Sequence, residues 1–241
     1  MVAGFLAADG APGRPAPKAV IAPHAGYVYS GPIAGSAFRT LAAAAQSIRR
    51  VVLLGPAHFV ALRGLALPEH EKFRTPLGDI GMDPEGFPAA LRLPQVRVYP
   101  EAHLREHSLE VELPFLQVLL GEITLVPLAV GDADADSVAE VLERLWGGPE
   151  TLVVVSSDLS HYLPAEEARR VDRETAEQIV GLRGPLQPRQ ACGARPINGL
   201  LEVARRRGLS AELLDLRNSG DTAGDPGRVV GYGAFAFHER S

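Results

Sequence analysis

Short, almost unbroken apolar runs recur along the chain at residues 18–22, 50–55, 123–130, 151–156 and 228–237. Runs of this length with no polar alternation mark strands covered on both faces. Between them, apolar residues fall at three- and four-residue spacing over roughly residues 33–45, 137–146, 166–180 and 197–207, the pattern of helices with one buried stripe. Strands alternating with helices predict an α/β protein, a single three-layer α/β/α domain over residues 1–241. Residues 1–17 stand apart as an N-terminal segment running into a Pro/Gly-rich stretch at 11–17, and residues 220–227 read as a second loop.

In such domains, sites gather at the carboxyl ends of strands. The first strand runs into Pro23-His24-Ala25-Gly26-Tyr27, the second into Gly55-Pro56-Ala57-His58, and the strand from Thr151 into Ser156-Ser157-Asp158-Leu159-Ser160-His161. Three histidines therefore leave three strands at equivalent points. One histidine near a strand end is usually an ordinary hydrogen-bonded residue. Three of them suggest chemistry, because His is the commonest metal ligand and a frequent general base.

Composition narrows the options. With 24 Lys+Arg against 29 Asp+Glu, a net charge of −5 and no long run of one sign, the chain does not suit nucleic acid. Hydrophobic residues make up 46%, enough for a sizeable core, and no apolar run approaches the ~20 residues of a membrane span. The single cysteine, Cys192, rules out an internal disulfide and favours a cytoplasmic location. No export signal is read in the apolar stretch of residues 2–8, which no Lys or Arg precedes. Nicotinamide, P-loop and α/β-hydrolase fingerprints are missing.

Two imidazoles and one anionic ligand, with positions left open, would suit a mononuclear site for a substrate or dioxygen. Asp158, Glu106, Glu110 and Cys192 are the anionic candidates. Cys192 lies in Ala191-Cys192-Gly193-Ala194-Arg195-Pro196, where Gly193 permits close backbone approach and a helix start would lower the thiol pKa toward thiolate. The stretch His103-Leu104-Arg105-Glu106-His107 matches the HxxEH pattern of zinc peptidases. Pro100 and Pro114 oppose the regular helix that pattern needs, so Glu106-His107-Ser108 reads as a polar turn entering a helix, with His107 and Glu110 three residues apart. His70 and His238 read as structural or solvated.

Six blocks carry a resemblance: PHAGYVYSGPIAGSAF from Pro23, LLGPAHF from Leu53, EHSLEVELPFLQ from Glu106, SSDLSHY from Ser156, ACGARPI from Ala191 and NSGDTAGDPGRVVGYGAFAF from Asn218. Together they resemble the Memo family, known in bacteria as AmmeMemoRadiSam system protein B and related to the class III extradiol (LigB-type) dioxygenases. The resemblance implies the three-layer α/β/α fold of those dioxygenases and a non-haem metal pocket. It implies His24, His58 and Cys192 as the metal ligands and His161 as an acid/base residue beside them. Tyr27, Glu106, His107, Asp158 and Tyr162 would support these groups or the substrate. Most family members carry a longer segment before the first strand, so residues 1–10 are expected to be its remnant, or the start to lie upstream.

The family implies one divalent metal. Iron(II) is the first expectation, with zinc or copper as alternatives, because a cysteine replaces the glutamate of the dioxygenases and thiolate is a softer ligand. The function expected is that of a metalloprotein, an iron-dependent oxidoreductase or dioxygenase acting on a small molecule. The alternative is a non-catalytic binding or adaptor module with a vestigial pocket and a peptide ligand, in keeping with the signalling and motility roles of animal members. For bacterial members the resemblance implies a functional link to radical-SAM and AMMECR-type proteins.

Overall fold

The computed structural model describes residues 1–7 and 16–239, so the Pro/Gly-rich stretch lies outside the described residues apart from Ala16 and Pro17. The chain runs α1 (Val2–Leu6), β1 (Ala19–Ala22), α2 (Tyr27–Phe38), β2 (Arg50–Pro56), β3 (Leu65–Leu67), β4 (Lys72–Thr75) and β5 (Gly78–Met82). It continues through α3 (Gly86–Leu91), β6 (Val96–Val98), α4 (Leu113–Leu120), β7 (Thr124–Val130), α5 (Ala135–Leu145) and β8 (Thr151–Ser156). The last elements are β9 (His161–Leu163), α6 (Ala165–Val180), α7 (Ala194–Arg207), β10 (Ser210–Asn218), α8 (Ser219–Thr222) and β11 (Val229–His238).

The five expected strands are β1, β2, β7, β8 and β11, and they lie centrally in a sheet ordered β10-β11-β1-β8-β2-β7-β3-β6. Residues alternate between its two faces with period two. Ala19, Ile21, Val52, Leu54, Val153 and Val155 enter one core with α5 and α7. Val20, Ala22, Val51, Leu53, Leu152 and Val154 enter the other with α2 and α4. Both faces are therefore covered by helices, which is why the strand sequences show no polar alternation. The three-layer α/β arrangement is as expected.

The register explains where a site can form. β1 runs parallel to β8, with Ala22 opposite Ser156, and β8 runs parallel to β2, with Val155 opposite Leu54. The carboxyl ends of three adjacent strands therefore open onto one edge. β11 is antiparallel to β1, and its first residues pair with β9, Val230 opposite His161, which brings β9 to that same edge.

The expected helices are present with shifted ends. α2 begins six residues before the expected start, because Gly26 caps it and Pro32 is accommodated inside rather than ending it. A 3₁₀ segment, Arg39–Ala44, continues it. Among the described residues, no helix is long and apolar enough to cross a membrane.

Candidate metal centre

His24 follows β1 and is buried, His58 follows β2, and His107 comes from the segment between β6 and α4. Their rings form a nearly equilateral triangle, with centroids 5.4 Å apart for His24 and His58 and 5.5 Å for each other pair. One ring nitrogen from each lies within 4.8 Å of the others, close enough to hold one metal ion.

Hydrogen bonds select which nitrogen is free. His58 Nδ1 lies 2.9 Å from Glu106 Oε1, and its backbone N–H donates to Oε2 at 2.7 Å. A carboxylate only accepts, so Nδ1 carries the proton and Nε2 keeps its lone pair, the usual arrangement behind a metal-bound imidazole. Glu106 also accepts the backbone N–H groups of His107 and Ser108, both at 3.0 Å. Burial alone would raise the Glu106 pKa, but the bonds from His58 and Ser108 and the adjacent His58 charge outweigh it and hold the carboxyl at about 2.

His24 Nδ1 lies 2.8 Å from the Ser156 hydroxyl, and its Nε2 faces Cys192 Sγ at 3.4 Å. Its backbone N–H donates to Asp158 Oδ1 at 2.9 Å, with Ala25 N–H on the same oxygen at 3.3 Å. Burial first, then the neighbouring His58 and His107 charges, depress the His24 pKa to about 3. The imidazole is therefore neutral and ready to ligate across the physiological range. Burial raises Asp158 to about 6 against the hydrogen bonds and histidine charges that favour its anion.

Cys192 immediately precedes Gly193, the cap of α7, as expected, and its Sγ stands beside His24. The expected lowering of its pKa is corrected: burial, with the Asp158 charge adding to it, pushes the thiol up to about 12. Sγ accepts the Asp158 N–H at 3.3 Å. The expectation for Gly193 holds, since a Cβ there would meet Ser157 Cβ at 2.6 Å and the Ser156 carbonyl oxygen at 2.9 Å. Bulk at this position would lift the Cys192 loop off β8.

His161 is not among the three gathered donors. It is half-buried on β9, near enough for its charge to act on both His24 and Asp158, and it lines a cleft of about 670 Å³ with Leu163, Arg170 and Gln190. Tyr162, beside it, has the left-handed φ of 62° and an exposed ring under the Arg228 guanidinium. Tyr27 packs edge-on to Phe115, and its hydroxyl donates to the Val111 carbonyl at 2.9 Å. It thereby ties the start of α2 to the chain that carries His107.

The HxxEH stretch is not a helix. His103 is buried with Nε2 3.0 Å from the Ala66 carbonyl, far from serving beside His107 as a helical ligand pair. Sequence reasoning placed His107 among supporting residues, whereas the fold puts its ring with His24 and His58. The available signal was its place next to Glu106, the carboxylate that turns His58. Ser156 holds His24 Nδ1, and Ser108 and Glu112 stand behind Ser156; all three lie in the SSDLSHY and EHSLEVELPFLQ blocks, but sequence reasoning named none of them as a site residue.

A mixed sheet with parallel central strands, covered on both faces, with imidazoles converging beyond its strand ends, defines an α/β/α protein with a candidate metal centre. The family model described as Memo-like protein matches residues 5–236, and the chain belongs to that family. It is 36% identical over 235 residues to a MEMO1 family protein of Methanopyrus kandleri, covering 90% of this chain and 82% of the relative. A MEMO1 family protein of Archaeoglobus fulgidus is 36% identical, with 91% and 86% covered, and one of Aquifex aeolicus 35%, with 92% and 86%. The fold is also similar to the crystal structure of an uncharacterised protein of Escherichia coli K12, at TM-score 0.56 and 14% identity, covering 90% of this chain and 98% of that one.

Proposed function

We propose that the chain is a mononuclear metalloprotein acting on a small molecule, with iron(II) as the working metal and an oxidoreductase or dioxygenase-like reaction. The supporting observation is the tautomer arrangement: His24 and His58 both have Nδ1 held by second partners, leaving Nε2 for an ion. His107 is the third imidazole, and Cys192 Sγ stands ready as an additional donor once a metal displaces its proton. Bound there, iron(II) would supply a redox-active Lewis acid with positions open to substrate.

The chain's own groups divide the remaining work. Glu106 orients His58, Asp158 holds the His24 backbone, and His161 holds or moves a proton at the edge of the cleft. The exposed rings of Phe59 and Tyr162, each beside a site histidine and each under a guanidinium, form walls for a substrate. Metal analysis of anaerobically purified protein, followed by oxygen-uptake assays over candidate small molecules, tests this reading. Stoichiometric iron with substrate-dependent uptake supports it, and protein that takes up no metal refutes it.

The second reading, a binding module without turnover, is favoured by the exposed apolar side chains of Val28, Tyr29, Phe59 and Leu104, close in sequence to site residues. Peptide binding that is unchanged by complete metal removal would select it.

A further inference from the structure

We propose that Glu112 is a neutral carboxylic acid that positions the Ser156 hydroxyl behind His24, so that the imidazole turns its Nε2 lone pair to the metal centre. The argument is a count of protons around one oxygen. Ser156 Oγ has three polar neighbours: the Ser108 carbonyl oxygen at 2.6 Å, Glu112 Oε1 at 2.8 Å and His24 Nδ1 at 2.8 Å. A hydroxyl has one proton to give and two lone pairs to receive. The Ser108 carbonyl can only accept, so it takes the Ser156 proton. The two remaining 2.8 Å contacts would set lone pair against lone pair unless each neighbour donates, so His24 supplies Nδ1–H and Glu112 carries a proton.

The surroundings agree. Glu112 is fully buried where the chain enters α4, and no Lys or Arg pairs with it among the described residues. Its Oε2 has no hydrogen-bond partner, a costly position for a carboxylate oxygen and a far cheaper one for the carbonyl oxygen of a neutral acid. Burial holds its pKa well above the usual carboxylate range, and the Asp158 charge adds to this against the Ser156 bond. With all three donors assigned, the hydroxyl has no freedom to turn toward His24 and reverse the tautomer. Glu112 thus does for His24, through a serine and as an acid, what the ionised Glu106 does directly for His58.

The positioning role rests on the metal reading of the site, whereas the protonation state does not. The test compares Glu112→Gln, whose amide can still donate to Ser156, with Glu112→Leu, which cannot. Infrared spectra of the metal-free protein at neutral pH should show a protonated-carboxyl stretch that Glu112→Gln removes, and ¹⁵N-histidine spectra should show His24 as the Nδ1–H tautomer. Zinc affinity, read by chelator competition, should stay near wild type in Glu112→Gln and fall about 10–100-fold in Glu112→Leu, as for other groups that orient ligands. No carboxyl band, an Nε2–H tautomer, or equal losses in both variants would overturn the proposal, as would full affinity in Glu112→Leu. If the wild type binds no zinc, the metal reading fails and the positioning role with it, while the carboxyl band still decides the state of Glu112.

Discussion

Glu106 grips His58 at both ends: one carboxylate oxygen takes the ring Nδ1–H at 2.9 Å and the other takes the backbone N–H at 2.7 Å. Because the same carboxylate also receives the N–H groups of His107 and Ser108, one buried side chain sets two of the three imidazoles. The arrangement is local in sequence on one side and spans 48 residues on the other.

Removing that carboxylate should loosen both histidines together. Glu106→Ala is expected to lower zinc or iron affinity about 10–100-fold. It should also cost about 3 kcal/mol of metal-free stability, since each buried N–H left without an acceptor costs about 1–3 kcal/mol. Denaturant unfolding and chelator competition on the same preparation check both. Unchanged affinity would mean His58 is oriented by something else.

The metal-free protein should lose stability in acid partly through His24. Its folded pKa, about 3, lies below the ordinary value of 6.5, so between these limits the unfolded chain binds the extra proton. The His24 contribution is therefore present above pH 6.5 and lost as pH falls toward 3, with a slope approaching about 1.4 kcal/mol per pH unit. His103, lowered to about 4 by burial, acts in the same sense, while Asp158 and Asp172, both raised to about 6 by burial, act oppositely. The informative quantity is thus the difference between wild type and His24→Asn, measured by unfolding at several pH values. The variant should show the shallower decline below pH 6.5, and an identical slope would contradict the buried neutral imidazole.

The central strands and the placing of His24, His58 and His161 at one sheet edge were legible because apolar runs and strand-end residues are local features. The six remaining strands were not. β3, β6 and β9 are three residues long, and β10, with the half-exposed sequence SAELLDLRN, looks polar because it lies at the sheet edge. The Cys192 pKa was misjudged from its place before a helix, since burial beside Asp158 depends on contacts 34 residues distant. His107 was undervalued because its segment, with 3₁₀ turns at Pro100–Ala102 and Glu110–Glu112, follows neither strand nor helix periodicity.

Cys192 should behave as an inert thiol without metal and as a ligand with it. Alkylation of the metal-free folded protein at neutral pH should be much slower than after unfolding, given a thiol pushed up to about 12. Cobalt(II) loading should then produce a sulfur-to-metal charge-transfer band that Cys192→Ala abolishes. A cobalt spectrum without that band would leave the imidazoles as the donors and Cys192 as packing.

Asp172 on α6 accepts the Ser160 N–H at 3.0 Å, and the backbone of Gly231 lies against the same carboxylate. A Cβ at Gly231 would come within 2.0 Å of Asp172 Oδ2. Gly231→Ala should therefore destabilise the fold by about 1–3 kcal/mol. It should also shift the loop leading to His161 while leaving metal content intact. Thermal unfolding and elemental analysis check this, and a neutral substitution would show that Asp172 moves freely.

The central claim is that His24, His58 and His107 form one metal centre from which His161 is separate. Its most direct test is metal stoichiometry after equilibrium dialysis, measured on wild type and on His24→Ala, His58→Ala, His107→Ala and His161→Ala. One ion per chain in the wild type and in His161→Ala, with loss or severe weakening in the other three, is the predicted result. Full retention of the ion in His107→Ala, or its loss in His161→Ala, would contradict the account.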